Sequence, residues 1–302
     1  MSSKVETKPV CAGKFGYSLE MSFSTSCVIR LGAAALGVTG LFMAWSQNQA
    51  PAQLTLEKVS PNLYMIVGSG GNVAFMPTEE GVLVVDDKFA QDAPQIMQKI
   101  RSVTDKPIKY VLNTHQHGDH TGGNEAMRGQ KAEMIIHKNA RANMVAGKMP
   151  GLPDITFSDE TQVFIGGKEV TMKYFGRGHT NGDAMVFFPS EHVVHTGDLF
   201  TSGAPFCDGN ANCSINEWDK TIAKAMTMEF DIVIPGHGPL QKRADLQKYG
   251  QNIGVMRDRI KTACAGGAAD AAKKLDFKDL GFAQLSPLFT GGVPKMCEEL
   301  SR

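Results

Sequence analysis

Three histidines and one aspartate lie within six residues of one another, at His115, His117, Asp119 and His120. Imidazole nitrogens and carboxylate oxygens are the ligands that zinc and similar divalent metals prefer in proteins. Residues separated by two and by five positions cannot share one helical face, so we expect them on a loop. The alternative is a solvated histidine-rich turn, and the density of ligand-type residues argues against it. The apolar run 108–112 predicts the strand that leads into this loop.

Three further potential ligands, His179, Asp198 and His237, each follow a predicted strand in the company of glycine. Glycine beside a ligand lets the backbone come close to a metal and adopt a positive φ. Taken alone, either histidine is more typical of a surface residue or of a hydrogen-bonded core residue. The shared order of strand, glycine and ligand-type residue favours one common metal site.

The segment His115–His120 matches the H-x-H-x-D-H signature of the metallo-β-lactamase superfamily, and the three later residues match its remaining ligand motifs in order. The chain resembles this family from Leu54 to Gln241. The resemblance implies an α+β fold, an αβ/βα sandwich of two mixed β-sheets flanked by helices, with metals at one edge. The alternation of predicted strands and helices alone indicates only an α/β or α+β protein.

The resemblance also implies a division of the ligands between two metals. Carried over residue by residue, the ligands are His115, His117 and His179 for one metal, Asp119, His120 and His237 for the other, and Asp198 as a bridge. The implied cofactor is a pair of Zn²⁺ ions, with iron or a mixed metal pair as the alternative. Asp86, after the apolar run 82–85, matches a buried aspartate that orients a ligand. Asp86 and Asp87 are equally good candidates for capping this turn.

Such a site is expected to hydrolyse its substrate with a metal-bound hydroxide, oriented by Asp119 as the catalytic residue. The expected substrate is a small ester, thioester, lactone or lactam. The best-known secreted lactamases of the family have cysteine at the position of Asp198, which argues against β-lactams as the main substrate without excluding them. We expect the substrate under two loops, 68–72, with Gly71 and Asn72 as contacts, and 201–214.

Two other classes of function fit the same ligands. A mono-iron sulfur dioxygenase-like oxidoreductase of this fold would retain similar ligands, and a non-catalytic metal-binding accessory protein would also do so. Three other side chains receive structural predictions: Trp218 packs within a helix, His195 lies or hydrogen-bonds under the site, and His137 lies at the surface or the rim of the site.

The first fifty residues differ in composition from the rest of the chain. The stretch 31–45 is apolar and rich in small residues, and Arg30 precedes it. Its length is below the roughly 20 residues of a membrane-spanning helix, and the pattern is typical of a secretory signal. A short membrane anchor or a buried helix is the alternative. We therefore expect a leader over 1–50, a catalytic domain over 51–302 and a secreted or periplasmic protein with no membrane contact after cleavage.

The predicted mature chain is close to neutral. The whole sequence has 31 basic and 31 acidic residues, and the leader contains four basic and two acidic ones, which leaves 31 − 4 = 27 and 31 − 2 = 29, a net charge of −2. This balance argues against a nucleic-acid partner. The expected partner is a small-molecule substrate, and the oligomeric state is not predicted.

Four of the six cysteines, Cys207, Cys213, Cys264 and Cys297, follow the leader. In an exported protein they predict disulfide bonds. Pairing of nearest neighbours would join 207 to 213 and 264 to 297, but four cysteines allow three connectivities and the sequence does not choose among them. A long closing helix is predicted over 244–263, and the tail 276–302 is predicted to be rich in loops.

Overall fold

The computed structural model describes residues 53–282 and 287–302. The predicted leader lies outside the described residues. The described part of the chain forms two β-sheets with helices packed on their outer faces, as the family resemblance implied.

The first sheet has seven strands in the order of the sequence. Its strands are β1 (Thr55–Ser60), β2 (Leu63–Val67), β3 (Val73–Pro77), β4 (Val82–Val85), β5 (Ile108–Asn113), β6 (Glu133–His137) and β7 (Ile155–Phe157). Pairing is antiparallel from β1 to β4 and parallel from β4 to β7. Every residue of β4 is buried, which agrees with a continuous β-branched run covered on both faces of a sheet.

The second sheet has six strands in the order β13-β12-β11-β10-β9-β8. They are β8 (Glu160–Ile165), β9 (Lys168–Tyr174), β10 (Ala184–Phe188), β11 (Val193–His195), β12 (Ile232–Ile234) and β13 (Gln241–Lys242). Only β11 and β12 pair in parallel, so both sheets are mixed. Because β11 and β12 run in the same direction, the loops that follow them leave the sheet at the same edge.

Eight α-helices complete the described chain. They are α1 (Ala93–Arg101), α2 (Gly118–Thr121), α3 (Asn124–Gly129), α4 (Lys138–Ala146), α5 (Trp218–Ala225), α6 (Arg243–Cys264), α7 (Ala268–Lys274) and α8 (Pro287–Leu300). The apolar stripe of α1 packs on the outer face of the first sheet through Ile96 and Ile100, and α5 and α6 cover the second sheet. A further apolar cluster fills the space between the sheets.

The loop-rich tail predicted over 276–302 is wrong in its second half, where α8 forms a helix of 14 residues. Gly291, Gly292 and Pro294 reduce helix propensity there. Buried side chains at Phe289, Val293, Met296 and Cys297 nevertheless follow a helical spacing and pack into the outer core. Tertiary packing and the disulfide at 297 therefore outweigh local propensity.

The structure joins the cysteines as nearest neighbours, Cys207 to Cys213 and Cys264 to Cys297. The first bond closes a short loop between β11 and α5, and the second fastens α8 to α6. Within 53–282 and 287–302, none of the helices has the length and apolar character needed to cross a bilayer.

Candidate metal centre

The seven predicted ligands converge at one edge of the two sheets. The first four follow β5 directly, on the loop and on the single helical turn of α2. His179 lies between β9 and β10, while Asp198 and His237 follow the parallel strands β11 and β12. The seven side chains form two groups whose ligand atoms lie within 4.8 Å of one another inside each group.

The first cluster comprises His115, His117 and His179, together with Asp198. His117 Nδ1 is 3.2 Å from His115 Nε2 and 2.9 Å from His179 Nε2. His115 and His179 are buried, and His117 is partly exposed. The three ring nitrogens therefore surround a common point at the mouth of the site.

The other ring nitrogens of this cluster identify the tautomers. His117 Nε2 donates to Asp208 Oδ2 over 2.8 Å, and His179 Nδ1 donates to the carbonyl oxygen of Phe206 over 2.5 Å. Each donation places the proton on the nitrogen that faces away from the cluster. With its proton on the outer nitrogen, a neutral histidine directs the lone pair of the converging nitrogen toward the site, which is the form that binds a metal.

Asp86 determines the tautomers of His115 and His120 in the same manner. Asp86 Oδ2 accepts from His120 Nδ1 at 2.8 Å and from Thr114 Oγ1 at 2.8 Å. Because the Thr114 hydroxyl uses its proton on Asp86, His115 Nδ1, 3.1 Å away, must donate to that hydroxyl oxygen. Both histidines thus direct Nε2 into the site. Burial lowers the pKa of His120, but the Asp198 and Asp86 carboxylates outweigh it and raise this pKa well above its usual value, so a metal bound here would displace the proton on Nε2.

The second cluster comprises Asp119, His120 and His237. His237 Nε2 is 3.2 Å from Asp119 Oδ2 and 3.4 Å from His120 Nε2. His120 is completely buried, whereas His237 is partly open to solvent. A metal ion held by these three side chains would lie between the protein core and the cleft.

Asp198 connects the two clusters. Its Oδ2 is 3.6 Å from His179 Nε2, and its Oδ1 is 3.3 Å from His120 Nε2 and 3.4 Å from His237 Nε2. Close packing depends on Gly236, where a Cβ atom would lie 2.0 Å from Asp198 Oδ1. The carboxylate therefore presents one oxygen to each cluster.

The geometry of the clusters suits metal ions. Two nitrogens bound tetrahedrally to zinc at 2.0–2.1 Å would be about 3.3 Å apart, and the nitrogens of neighbouring histidines here are 2.9–3.4 Å apart. Asp198 Oδ1 is buried and accepts no hydrogen bond. A buried carboxylate oxygen without a hydrogen bond is costly unless a cation lies beside it. The residues present therefore fit two divalent metals.

The electrostatics of the two clusters differ. Burial lowers the pKa of His179 to about 4, which favours the neutral ligand form. Burial also lowers the pKa of His237, but the nearby carboxylates of Asp119 and Asp198 outweigh it and raise this pKa to about 9. Burial raises the pKa of the Asp119 and Asp198 carboxyls, but the surrounding histidines outweigh it and hold both pKa values below their usual range. Both carboxylates are thus ionised at neutral pH.

Of the two candidate aspartates after β4, Asp86 contacts the ring of the predicted ligand His120, whereas Asp87 contacts only its backbone, by an amide that donates to the His120 carbonyl oxygen at 2.9 Å. Asp86 is fully buried, adopts φ 59°, and also accepts from the Thr114 amide at 2.7 Å. Asp87 Oδ1 accepts from the Gly123 amide at 2.9 Å and so fixes the end of the ligand loop. Burial and the neighbouring carboxylate raise the pKa of Asp87 well above its usual value.

A cleft of about 660 Å³ opens over the two clusters. Phe89 and Phe206 form apolar parts of its wall, and the segment 201–204 forms another side. Asp119 and Asp198 are the only charged carboxyl groups among the lining residues, and no lysine or arginine within the described ranges lines it. The predicted loop 201–214 thus borders the cleft, as expected from the sequence.

The structure places Gly71 and Asn72, which were predicted to contact substrate, outside the lining of the cleft. A Cβ at Gly71 would lie 2.2 Å from the His120 ring, so this glycine allows the backbone to pack against a predicted ligand. Asn72 is buried, and its Nδ2 donates to the carbonyl oxygens of Pro235 at 2.9 Å and Gly238 at 2.8 Å. These residues join the loop 68–72 to the ligand loop after β12, and neither lines the cleft.

Lys88 is a residue of this region that sequence reasoning missed. Its side chain is fully buried, and its Nζ donates to the carbonyl oxygens of Ser69 at 3.0 Å and Gly71 at 2.5 Å. Burial lowers its pKa to about 8. Lys88 supports the loop 68–72 from below. The available signal was a lysine directly after a completely apolar strand and two aspartates.

Asp208 and Phe206 are the other contacts that were missed. Both belong to the predicted cleft loop, and each accepts a hydrogen bond from a predicted metal ligand. The hydrogen bond from His117 holds the pKa of Asp208 below its usual range. The available sequence signal is the position of Asp208 between two cysteines, inside the predicted cleft loop.

The predictions for three other side chains have different outcomes. His195 Nε2 donates to the Asn72 carbonyl oxygen at 3.0 Å under the site, as expected. Trp218 is fully buried and donates to the Leu199 carbonyl oxygen at 2.9 Å, in agreement with a packing role. The surface position predicted for His137 is wrong. This residue is buried and stacks on Tyr174 with ring centroids 4.1 Å apart.

Comparison with known families gives one match that spans most of this region. The family model described as "Metallo-beta-lactamase superfamily" matches residues 66–237, which is more than half of the chain. The matched range includes all seven clustered side chains.

Comparison with individual proteins gives relatives with different named activities. The chain is 24% identical over 231 residues to a "Metallo-beta-lactamase type 2" of Elizabethkingia meningoseptica, covering 70% of this chain and 89% of that protein. It is 26% identical over 192 residues to the "2,4-dinitroanisole O-demethylase subunit alpha" of Nocardioides sp., covering 61% and 57%. The solved structure of a metallo-beta-lactamase from Pontibacter korlensis superposes with a TM-score of 0.60 at 23% identity, covering 66% of this chain and all of that one. This structural likeness concerns the fold.

Proposed function

Because the chain belongs to the metallo-β-lactamase superfamily, we propose that it is a dinuclear zinc hydrolase that cleaves a small ester, thioester, lactone or lactam. Two zinc ions would supply Lewis acidity toward the substrate carbonyl and a nucleophilic hydroxide at neutral pH. His115, His117 and His179 would hold one ion, Asp119, His120 and His237 the other, and Asp198 would bridge them.

The observation that carries this proposal is the position of Asp198. Its two carboxylate oxygens face different clusters, one toward His179 and the other toward His120 and His237. A purely structural carboxylate would be expected to satisfy both oxygens with hydrogen-bond donors. One of these oxygens is buried and has no donor, which supports a bridging role.

Asp119 is the proposed catalytic residue. Its carboxylate lines the cleft and is ionised, with a lowered pKa, beside His237. A carboxylate at this place can accept a hydrogen bond from the attacking water and hold it toward the substrate carbonyl. Asp86 holds the ring of His120 but does not reach the cleft, so we assign it a positioning role.

The walls of the cleft narrow the class of substrate. Phe89 and Phe206 offer apolar surface, and no lysine or arginine of the described chain lines the cleft to pair with a substrate anion. A carboxylate on the substrate would find its cationic partners in the proposed zinc ions and not in the walls of the cleft. The apolar walls therefore fit acyl compounds that carry an apolar or aromatic part.

A substrate panel on the zinc-reconstituted protein tests the proposal. The panel pairs aryl esters, thioesters, lactones and β-lactams with analogues of the same class that lack the apolar or aromatic part. We expect zinc-dependent turnover of at least one class, at higher kcat/KM for the member that carries the apolar or aromatic part. Lack of zinc-dependent turnover across the panel would contradict the hydrolase and favour an accessory metal-binding protein.

Metal analysis separates the hydrolase from the oxidoreductase alternative. The proposal expects two zinc ions per chain after reconstitution. About one iron per chain, together with thiol-dependent oxygen uptake, would instead indicate a mono-iron dioxygenase. The bridging position of Asp198 favours the dinuclear site.

We further propose that the protein acts in an exported, oxidising compartment. The two disulfides of the described chain support this location, because such bonds persist in secreted and periplasmic proteins. Mass spectrometry of the periplasmic fraction after expression from the complete sequence would test it, and recovery of the protein only in the cytosol with free thiols would contradict it.

A further inference from the structure

The loop between Cys207 and Cys213 contacts one of the two clusters and not the other. His117 Nε2 donates to Asp208 Oδ2 at 2.8 Å, and His179 Nδ1 donates to the Phe206 carbonyl oxygen. The Asp208 amide in turn donates to the His179 carbonyl oxygen at 3.0 Å. Two of the three histidines of the first cluster therefore depend on residues 206–208 for their orientation.

The conformation of this loop is fixed by contacts within it. Cys207 and Cys213 form a disulfide with a sequence separation of 6. The Cys213 amide donates to the Asp208 carbonyl oxygen at 3.0 Å, and Asp208 Oδ1 accepts from the Asn210 amide at 2.9 Å. Asp208 thus uses one carboxylate oxygen to hold the loop and the other to hold His117.

The C-terminal helix supports the loop from outside. Lys295 Nζ in α8 donates to the Gly209 carbonyl oxygen at 2.9 Å, and Glu299 Oε2 accepts from the Ile215 amide at 3.1 Å. One of these contacts lies within the disulfide-closed loop and the other lies just after it. The loop is therefore braced against the outer layer of the fold, while the Asp208 carboxylate contacts His117.

The second cluster is supported by Asp86, which reaches the first cluster only indirectly, through the Thr114 hydroxyl beside His115. His120 Nδ1 donates to Asp86 Oδ2 at 2.8 Å, and Asp86 also accepts from the amide and the hydroxyl of Thr114. These residues follow β4 and β5 in the first sheet and are fully buried. Nothing in this support passes through residues 206–213.

We propose that Asp208, held in place by the Cys207–Cys213 disulfide, is a positioning residue that sets the metal affinity of the first cluster independently of the second. This inference rests on the proposed dinuclear function. An acceptor on the outer nitrogen of a metal-binding histidine fixes its tautomer and ring orientation, and loss of such an acceptor typically weakens metal binding by about 10–100-fold. The disulfide acts by limiting the positions that Asp208 can occupy.

A substitution that separates the two roles of Asp208 tests the inference. Asp208→Ser keeps a short oxygen acceptor for the Asn210 amide, because serine is a good cap, but its side chain is too short to reach His117. The second variant is Cys207→Ser/Cys213→Ser, and the third combines all three substitutions. Asp279→Ser, which removes a carboxylate paired with Arg259 on the surface, is the matched control.

The readouts are zinc affinity by competition with a chelator and the absorption spectrum of the cobalt-substituted protein. We expect one of the two metals to bind about 10–100-fold more weakly in each of the first two variants, and the other to bind as in the wild type. The combined variant should be no weaker than the weaker of these two, because both changes act through the same contact. Adding His237→Ala should leave no tight site.

Three outcomes would overturn the inference: equal weakening of both metals, unchanged affinity in Asp208→Ser, or strictly additive effects in the combined variant. Thermal unfolding of the chelator-treated variants shows whether each one is folded before metal is added. The wild type is measured first, and a wild type that binds fewer than two metals contradicts the dinuclear proposal itself. Failure of that proposal is thus distinguishable from failure of the role given to Asp208.

Discussion

The two metal clusters differ in what holds them. The second cluster is fixed from the first sheet, where the buried carboxylate of Asp86 bonds to His120 and to Thr114. The first cluster is held largely from the other half of the chain, by a loop that a disulfide closes beside the cleft. A support within the core is coupled to global folding, whereas a support on a surface loop can change without unfolding the protein. We therefore expect the first cluster to be the adjustable one.

Replacement of Asp198 should have the largest effect, because this residue alone belongs to both clusters. Asp198→Ala removes the two oxygens that we propose bridge the metals and should lower kcat/KM by about 10³-fold or more, equivalent to several kcal/mol of lost transition-state stabilisation. Zinc content should fall at both clusters, while circular dichroism remains close to that of the wild type. Near-normal kcat with two bound zinc ions would show that the clusters do not depend on a shared bridge.

Asp119→Ala tests catalysis within the second cluster. Loss of the carboxylate that orients the attacking water should lower kcat by about 10²–10⁴-fold. The zinc of the first cluster should be retained, since Asp119 lies beside His237 and His120 only. Steady-state kinetics and metal analysis of the same preparation check both expectations. A variant that keeps wild-type kcat at full zinc occupancy would assign the orienting role to another group.

Asp86→Ala should break the support of the second cluster. It leaves the His120 Nδ1 donor and two donors of Thr114 without a buried acceptor, and loss of such a buried charged partner costs about 3–5 kcal/mol of unfolding free energy. The metal of the second cluster should bind about 10–100-fold more weakly. Urea unfolding of the chelator-treated protein and chelator competition measure the two effects. In contrast to Asp208→Ser, Asp86→Ala should lose global stability together with metal affinity. If Asp86→Ala lost metal affinity without losing stability, the two supports would not differ in the way we expect.

The two disulfides test the same distinction, because the disulfide that closes the longer loop is not the one whose loop contacts a metal cluster. In the chain-entropy model, removing the bond at sequence separation 33 costs about 4 kcal/mol, and removing the one at separation 6 costs about 2 kcal/mol. Cys264→Ser/Cys297→Ser should therefore lower the unfolding free energy more. Cys207→Ser/Cys213→Ser should lower the zinc affinity of the first cluster more. Urea unfolding measures the loss of stability in both variants, and chelator competition measures the loss of zinc affinity. If one variant showed the larger loss in both measurements, the prediction would be contradicted.

The sequence carried enough information to predict the fold class and the candidate ligands. The residue types of the site are informative by themselves, because several histidines and aspartates that stand beside glycine at strand ends are characteristic of a metal site. The family signature then supplied the two-sheet architecture. His137 shows the limit of this reasoning, since a histidine that ends a strand can equally stack in the core on Tyr174.

The family signature indicated Asp86, but the supporting contacts of the first cluster could not be predicted, because they join distant parts of the chain. Asp208 and His117 are 91 positions apart, and nothing in the sequence around either one identifies the other. The helix α8 was missed for a related reason: glycines and a proline obscure a helical stripe that packs only in the folded protein. Residue chemistry is thus local, whereas the position of a supporting residue depends on the complete topology.

Replacing Lys88 should have the smallest effect. We expect it to change how protein stability depends on pH, through the loop 68–72 that packs against the second cluster. Its folded pKa is about 8 and therefore lies below the ordinary lysine value of 10.5. Between these two pH values the unfolded chain binds more protons than the folded one, so the unfolding free energy rises with pH. The stability contributed by neutral Lys88 is fully present above the unfolded pKa and is lost as the pH falls through the folded pKa. From about pH 7 to about pH 9 the unfolding free energy of the wild type should rise by about 1 kcal/mol relative to Lys88→Met.

Urea unfolding of the chelator-treated proteins at both pH values measures this difference. Lys88→Met also removes the hydrogen bonds to the Ser69 and Gly71 carbonyl oxygens, which would lower stability at either pH without creating a pH slope. Lys295→Met is the control for loss of one positive charge, because Lys295 supports the loop of the first cluster at the exposed surface. A slope in the control as large as that at Lys88 would trace the pH effect to overall charge. A slope at Lys88 alone would show that a buried cation supports the second cluster from within the core.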